Sequence, residues 1–354
     1  MGNKCSTYNQ ILDDIRKKHL NLNKGMVAKN NELLHYLVRE IETGLANESK
    51  LFRSCFQDIY YSGSYYDGLR ITEPTEYDLN VILRLPFNYI SDLEFKKIDN
   101  TYCQMSLSKD FHRVMPASHP RYEDYKDIQK HFLSHESVFD ADKIHRWFRS
   151  LMTKVLNVMS KYLKYGADSI QISYSVKNQG PAHTLKVTRN GKEAFDVDFV
   201  PVFEVPNEYF LVPKKPDGLA SYNANHLWRI SNSRKERELL YNKECAKTVI
   251  KILKRLRDTQ RWEKLESFYI KTAVMHLVAG KNWDPSRLAD HLNESAEGLK
   301  RFLSDRNLPS LHDPSHNLFA KVGSDTLHNY EYRLERIIRD VRNNPQMLRE
   351  YLEN

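Results

Sequence analysis

No stretch of this chain is apolar for long enough to span a bilayer, and its first residues lack the apolar centre of a secretory signal. Cysteine is scarce: Cys5, Cys55, Cys103 and Cys245 are scattered through 354 residues, with no CxxC and no Cys/His cluster. That spacing excludes a disulfide framework and a structural zinc site, and it fits a reducing, cytoplasmic setting. No internal repeat or low-complexity tract is present. Aromatic residues, by contrast, are plentiful, at 11% with 21 Tyr, and the hydrophobic fraction of 40% is that of a folded protein. The length exceeds one average core, so a large bilobal domain or two fused lobes is expected. Lys and Arg outnumber Asp and Glu by 54 to 46, a net charge of +8 that suits a phosphate-rich partner: a nucleotide, a nucleic acid or an anionic membrane.

The chain opens Met-Gly-Asn-Lys-Cys-Ser. Gly2 with Ser6 matches the N-myristoylation pattern, and Cys5 is a candidate for palmitoylation. Two lipid signals are what stable anchoring needs, so residues 1–7 are read as a lipidation segment of a cytoplasmic, membrane-associated protein.

From Tyr8 to Leu20 the spacing of Ile11, Leu12 and Ile15 predicts a helix with Arg16, Lys17 and Lys18 beside its apolar face. A longer helix is expected from near Gly25 to about Gly44, carried by Met26, Val27, Leu33, Leu34, Leu37, Val38 and Ile41. Strands are expected at Ile59–Tyr61, Tyr77–Leu85, Ile170–Val176, Leu185–Thr188 and Phe195–Phe203, with turns at Ser62-Gly63-Ser64 and Arg189-Asn190-Gly191. Pro201 should lie past the paired part of its strand or on an edge. After the breaker-rich loop at 212–218 the pattern turns helical. The expected division is an α/β core lobe at 8–215, including an N-terminal spine helix, and a helical C-terminal lobe at 216–354.

Glu76 and Asp78 stand two apart in a strand and so project from one face. Paired carboxylates repel, and a hard cation such as Mg²⁺, which takes oxygen ligands together with substrate phosphates, compensates them. A third carboxylate must come from another strand. In Phe195-Asp196-Val197-Asp198-Phe199-Val200 two acids share a face of an otherwise apolar run, and spacing leaves both Asp196 and Asp198 open. Gly63-Ser64, before the paired acids, offers backbone N–H groups and a hydroxyl to phosphate oxygens. Each signal alone is met in any solvated strand or turn; their order along the chain is specific, and it fits two-metal phosphoryl transfer.

In this arrangement the chain resembles the cyclic GMP-AMP synthase family and its animal relatives, the cGAS-like receptors, over nearly its whole length. The residues that carry the likeness are Gly63-Ser64-Tyr65-Tyr66 followed by Ile71, Pro74 and Glu76-Tyr77-Asp78, then Gly180-Pro181-Ala182-His183-Thr184-Leu185, Val197-Asp198-Phe199, Phe210-Leu211-Val212-Pro213-Lys214, Trp228-Arg229-Ile230-Ser231 and Ser267-Phe268-Tyr269-Ile270-Lys271-Thr272. The resemblance implies a bilobal α+β nucleotidyltransferase fold with a mixed sheet and a long spine helix. It implies Glu76, Asp78 and Asp198 as catalytic ligands of two Mg²⁺ or Mn²⁺ ions. It also implies nucleotide contacts from Gly63, Ser64, Arg229 and Ser267, a stacking aromatic at Phe268 with Tyr269 as the alternative, and a phosphate-directed lysine at Lys247 or Lys251. ATP and GTP are the implied substrates and a cyclic dinucleotide the implied product. A linear oligonucleotide synthase and an inactive scaffold are the alternatives.

One departure is informative. The zinc-binding insertion of cyclic GMP-AMP synthase is missing, because Leu239-Leu240-Tyr241-Asn242 runs straight into Lys243-Glu244-Cys245. No zinc is therefore expected, and double-stranded RNA is the expected activator rather than DNA. Double-stranded RNA is read by its phosphates and 2′-hydroxyls, so exposed cations suffice. The candidates are Arg16, Lys17, Lys18, Lys24, Lys29, Lys50 and Arg53, with a second patch at Lys243, Lys247, Lys254, Arg255, Arg257, Arg261 and Lys264. Dimerisation on the nucleic acid is carried as a candidate.

Overall fold

In the computed structural model the described residues are 2–20, 24–72, 75–111, 115–134, 137–159, 162–176, 180–206, 208–216, 222–278 and 280–353. The side chains of 2–7 are outside that set, so the lipidation candidate Cys5 and the Gly2 signal lie outside it too; so does the Lys24 side chain. The chain is α+β. It divides into two compact units, Met1–Asn23 with Ser64–Glu73 and Arg234–Asn354, and Lys24–Gly63 with Pro74–Ser233.

Helix α1 (Gly2–His19) belongs to the first unit. Its Ile11, Leu12 and Ile15 are buried, as their spacing predicts. Asn9 fixes it at both ends of its amide, donating to the Ser286 carbonyl at 2.8 Å and accepting from the Ala289 N–H at 3.0 Å.

The second unit begins with α2 (Lys24–Glu48) and α3 (Lys50–Cys55), where the Ser49 hydroxyl caps α3 by accepting from the Phe52 N–H. Helix α2 runs through Gly44, where a stop was expected. Gly44 serves packing instead: a Cβ there would meet Val155 Cγ1 at 2.6 Å, so the missing side chain lets a second helix approach. Strand β1 (Phe56–Ser62) leads into the helical turn α4 (Gly63–Tyr66), at the expected Ser62-Gly63-Ser64 turn. The remaining strands are β2 (Glu76–Leu83), β3 (Leu93–Lys97), β4 (Tyr102–Leu107), β5 (Tyr162–Tyr165), β6 (Asp168–Val176), β7 (His183–Arg189), β8 (Lys192–Val205), β9 (Tyr209–Val212) and β10 (Leu227–Ser231). Two longer helices of the described residues, α5 (Tyr122–Phe132) and α6 (Ala141–Val158), also belong to the unit.

The ten described strands form one mixed sheet ordered β3-β4-β10-β9-β8-β7-β6-β5, with β2 beside β8 and β1 beside β2. Strand β2 pairs β8 in parallel from Glu76↔Asp196 to Leu83↔Phe203; every other pairing is antiparallel. The far edge of β8 is shared. It pairs β7 up to Phe199 and β9 from Phe203 onward. Pro201 falls in that gap while its other side stays in register with Val81. A residue with no N–H is tolerated where one ladder stops and the next has not begun. The Asn190-Gly191 turn expected between β7 and β8 has φ of +52° and +78°, the conformation that Asn and Gly accept most readily in a two-residue hairpin.

Helix α6 buries Ile144, Trp147, Phe148, Leu151, Met152 and Val155 at helical spacing, and Asp140 caps it by accepting from the Asp142 and Lys143 N–H groups. Against the sheet, Phe132, Phe139, Phe203 and Trp228 form an aromatic cluster, and the Trp228 indole donates to the Phe139 carbonyl at 3.0 Å.

In the first unit the remaining helices are α7 (Ser233–Leu239), whose first residue is the last of the sheet unit, then α8 (Glu244–Thr259), α9 (Ser267–Val278), α10 (Leu288–Ser304), α11 (Ser324–Asn343) and α12 (Met347–Glu353). Their apolar faces share one core with α1, built around Val249, Ile250, Leu253, Trp262, Val274, Leu299 and Leu334.

Candidate active site

Register assembles the acids. Asp78 of β2 lies beside Asp198 of β8 across the parallel ladder, and Glu76 lies two residues before Asp78 on the same face. One carboxylate oxygen from each of Glu76, Asp78 and Asp198 falls within 4.8 Å of the others. Among the described residues no other His, Cys, Asp or Glu group has that geometry. Three carboxylates at this spacing, two at the start of β2 and the half-buried Asp198 on β8, are the donor set of a hard divalent cation. Asp196, the rival of Asp198 on spacing, sits between Glu76 on β2 and Lys186 on β7 and is outside the cluster.

Two neighbours shape the acids: Gly63, expected from the sequence as a phosphate contact, and Thr184, which the sequence offered only as part of a motif. Thr184 of β7 faces Asp198 across the antiparallel ladder, is 4% exposed, and donates its hydroxyl to Asp198 Oδ1 at 2.5 Å. Gly63 has φ of +80°, and a Cβ there would come within 2.1 Å of Asp78 Oδ2. Glycine is thus required at this position twice over, for its backbone angle and for its bare Cα. Ser62 adds a hydroxyl donor to the Asp78 carbonyl at 3.1 Å. Arg229 lies in the same unit on β10, paired with Val212 and Tyr102; burial lowers its pKa, against the opposing effect of Tyr102.

Behind Thr184 the strand is anchored by His183, fully buried, whose Nδ1 lies 2.8 Å from the Tyr174 hydroxyl and whose ring is 4.5 Å from that of His145. Burial pushes the His183 pKa down to about 3, with His145 and Arg149 adding repulsion, so the imidazole is neutral in the fold.

The other candidates lie in the helical unit. After Ser64 the chain is held by Asp67, which accepts from Arg237 Nε and Lys271 Nζ at 2.9 Å each. Lys271 also pairs with Glu236 at 2.9 Å. Burial alone would lower the Lys271 pKa; the Glu236 and Asp67 carboxylates outweigh it and raise it. Lys247 packs beside this segment, its Cδ 3.6 Å from where a Gly68 Cβ would lie, and pairs with Glu244 at 2.8 Å. Lys251, one turn on, is half-buried and its pKa is lowered by burial. Ser267 opens α9. Phe268 next to it is 40% exposed, whereas the Tyr269 ring packs edge-on against Phe319 at 5.6 Å.

Of the nucleic-acid candidates, Arg16, Lys17, Lys18, Lys29, Lys50, Arg261 and Lys264 are exposed; Arg16 pairs with Asp13 and Lys18 with Glu353. Arg53 is spent on the end of α2, donating twice to the Ala46 carbonyl. Arg255 donates to the Leu352 carbonyl and Arg257 pairs with Asp258. Lys254 is 8% exposed, donates to the Leu69 carbonyl, and has its pKa lowered to about 8, chiefly by burial. It holds the segment around Leu69 in place rather than facing solvent.

With the acids placed, the chain can be compared with known proteins. The Mab-21 protein nucleotidyltransferase domain matches residues 65–242, and the Mab-21 protein HhH/H2TH-like domain matches 245–336. The chain belongs to the Mab-21 nucleotidyltransferase family. It is 27% identical to a cyclic GMP-AMP synthase-like receptor of Tribolium castaneum, over 97% of this chain and 91% of that protein. A protein of the same name from Aethina tumida is also 27% identical, over 99% of this chain and 92% of its own length. One from Microplitis demolitor is 29% identical over 93% and 65%. The chain is thus a cGAS-like nucleotidyltransferase, and the acidic triad lies within the matched nucleotidyltransferase segment.

Proposed function

We propose that this nucleotidyltransferase joins ATP and GTP into a cyclic dinucleotide of the cyclic GMP-AMP type, with pyrophosphate as leaving group, in innate immune signalling. The observation that carries the chemistry is the convergence of Glu76, Asp78 and Asp198 across the parallel β2–β8 pair. Two divalent ions, Mg²⁺ or Mn²⁺, bound by these acids would activate the attacking hydroxyl and neutralise charge on the leaving pyrophosphate. The work left to the side chains is positioning and charge complementarity, as in phosphoryl transfer generally. Asp78 and Asp198 hold adjacent ligand oxygens; the Gly63-Ser64 turn, Arg229, Ser267 and Lys247 bind phosphate; Phe268 stacks on a base. Lys247 is favoured over Lys251 because it packs against the segment that follows Ser64. Phe268 is favoured over Tyr269 because its ring faces solvent while Tyr269 is packed on Phe319. The names of the relatives support the product class.

Double-stranded RNA is the proposed activator, bound through exposed cations on α1, α2 and α3 and through Arg261 and Lys264, with a dimer forming on the nucleic acid. Gly2 and Cys5 lipidation would bring the cytoplasmic protein to a membrane. No helix among the described residues is long and apolar enough to cross one.

Purified protein incubated with ATP, GTP, Mg²⁺ or Mn²⁺ and a panel of double-stranded RNA and DNA tests this reading by product mass. The expected product is a cyclic dinucleotide, appearing with RNA and lost in Asp78→Ala by roughly 10³-fold or more, the scale of several kcal/mol of charge stabilisation. A ladder of linear oligomers would assign an oligonucleotide synthase instead. No product under any condition would leave a scaffold of the same fold.

A further inference from the structure

We infer that Thr184 is a positioning residue that disfavours chelation of one cation by both Asp198 oxygens and so tunes the acidic site to small, octahedral cations. The inference rests on the reading of Glu76, Asp78 and Asp198 as a metal site.

Asp198 has a different neighbour on each side of β8. On β2 it meets Asp78, a co-ligand; on β7 it meets Thr184, a donor. The Thr184 hydroxyl carries a single proton, and that proton is directed at Asp198 Oδ1. Its side chain is β-branched and buried, and its backbone is paired on both sides, with Ser175 of β6 and Asp198 of β8, so it has little rotameric freedom with which to release the carboxylate. One lone pair of Oδ1 is therefore committed to Thr184 and the carboxylate's orientation is fixed, which disfavours chelation of one cation by both oxygens together.

Ligand count separates the divalent cations. Ca²⁺ takes roughly 6–8 oxygens, often including a chelating carboxylate, at about 2.3–2.6 Å; Mg²⁺ takes about 6 at about 2.0–2.1 Å, uses one or two carboxylates through single oxygens, and fills the rest with water and phosphate. Disfavouring chelation by Asp198 keeps the protein's contribution low and leaves positions open for triphosphate oxygens. Without the Thr184 donor, Asp198 is free to turn and offer both oxygens. Thr184 is thus a residue of metal selectivity as well as geometry, acting through Asp198 and touching no substrate itself.

The test uses the full chain and the metal ions alone, with no nucleotide. Mn²⁺ binding is read by the loss of the free-ion paramagnetic resonance signal, with Ca²⁺ as competitor, for wild type, Thr184→Val, Thr184→Ser and Asp198→Asn. Thr184→Val keeps the shape and removes the donor. It is expected to weaken Mn²⁺ by about tenfold, the lower end for loss of a partner that orients a ligand, and to shift the competition toward Ca²⁺. Thr184→Ser, which keeps the hydroxyl, should behave as wild type in both. Wild-type Mn²⁺ affinity and an unchanged Mn²⁺/Ca²⁺ ratio in Thr184→Val, with binding lost in Asp198→Asn, overturn the role of Thr184 and leave the metal site standing. Unchanged Mn²⁺ binding in Asp198→Asn overturns the metal reading itself. Should Thr184→Val fail to fold, Thr184→Ala is read by the same criteria.

Discussion

At the scale of single residues the site depends as much on what is missing as on what is present. Gly63 has no side chain, and a methyl group added there would lie 2.1 Å from Asp78 Oδ2 on a backbone with φ of +80°. Gly63→Ala should therefore displace the Asp78 carboxylate and cost about 1–3 kcal/mol of stability from the strained backbone. Product formation should fall by more than the lost stability explains, and parallel thermal melts and turnover assays check this. Spacing made Glu76 and Asp78 a legible pair because strand periodicity is local. It could not choose between Asp196 and Asp198, since both point from one face. The choice lies in register: Asp198 meets Asp78 and Thr184, while Asp196 meets Glu76 and Lys186. Phe268 and Tyr269 pose the same problem; Tyr269 packs on Phe319, far along the chain, which is why Phe268 is the proposed stacking ring. Lys254 looked like a surface cation because charge is read from sequence without burial.

At the scale of elements, periodicity read most helices and strands, because amphipathic spacing reports the buried face directly. It stopped α2 at Gly44, where glycine serves a close crossing with α6 instead. Gly44→Ala should cost about 1–3 kcal/mol by overpacking against Val155. The loss should shrink in a Val155→Ala background, a coupling that a double-mutant cycle in denaturant measures. What holds the chain after the helical turn at Gly63–Tyr66 was unreadable, because the residues that bind it come from far along the chain. Asp67 is met by Arg237 and Lys271, and Lys271 also by Glu236. Lys271→Met would strand two largely buried carboxylates beside one remaining guanidinium. A loss of about 3–5 kcal/mol is expected, visible as a lower melting temperature.

At the scale of the whole molecule, His183 gives folding a pH dependence. Its pKa is about 3 in the fold, against about 6.5 in an unfolded chain. Above pH 6.5 the imidazole is neutral in both states and its stabilising contribution is complete. Between about 6.5 and 3 only the unfolded chain takes the proton, so stability falls as pH falls, by about 1.4 kcal/mol per unit for this one group. Denaturant titrations from pH 7 to 5 should show that slope, and His183→Asn should flatten it. Overall charge was legible from composition and predicts that nucleic-acid binding weakens steeply with salt; binding that ignores ionic strength would remove the exposed cations from the account.

The parallel pairing of β2 with β8 has a kinetic consequence. Asp78 and Asp198 are about 120 residues apart in the chain, and no local hairpin can bring them together. Closing so long a loop costs entropy before any contact repays it, which places this pairing among the slow, non-local events of folding. A growing or partly folded chain therefore carries the acids but not the cluster. A nucleotidyltransferase built this way brings its acids together only with its final topology.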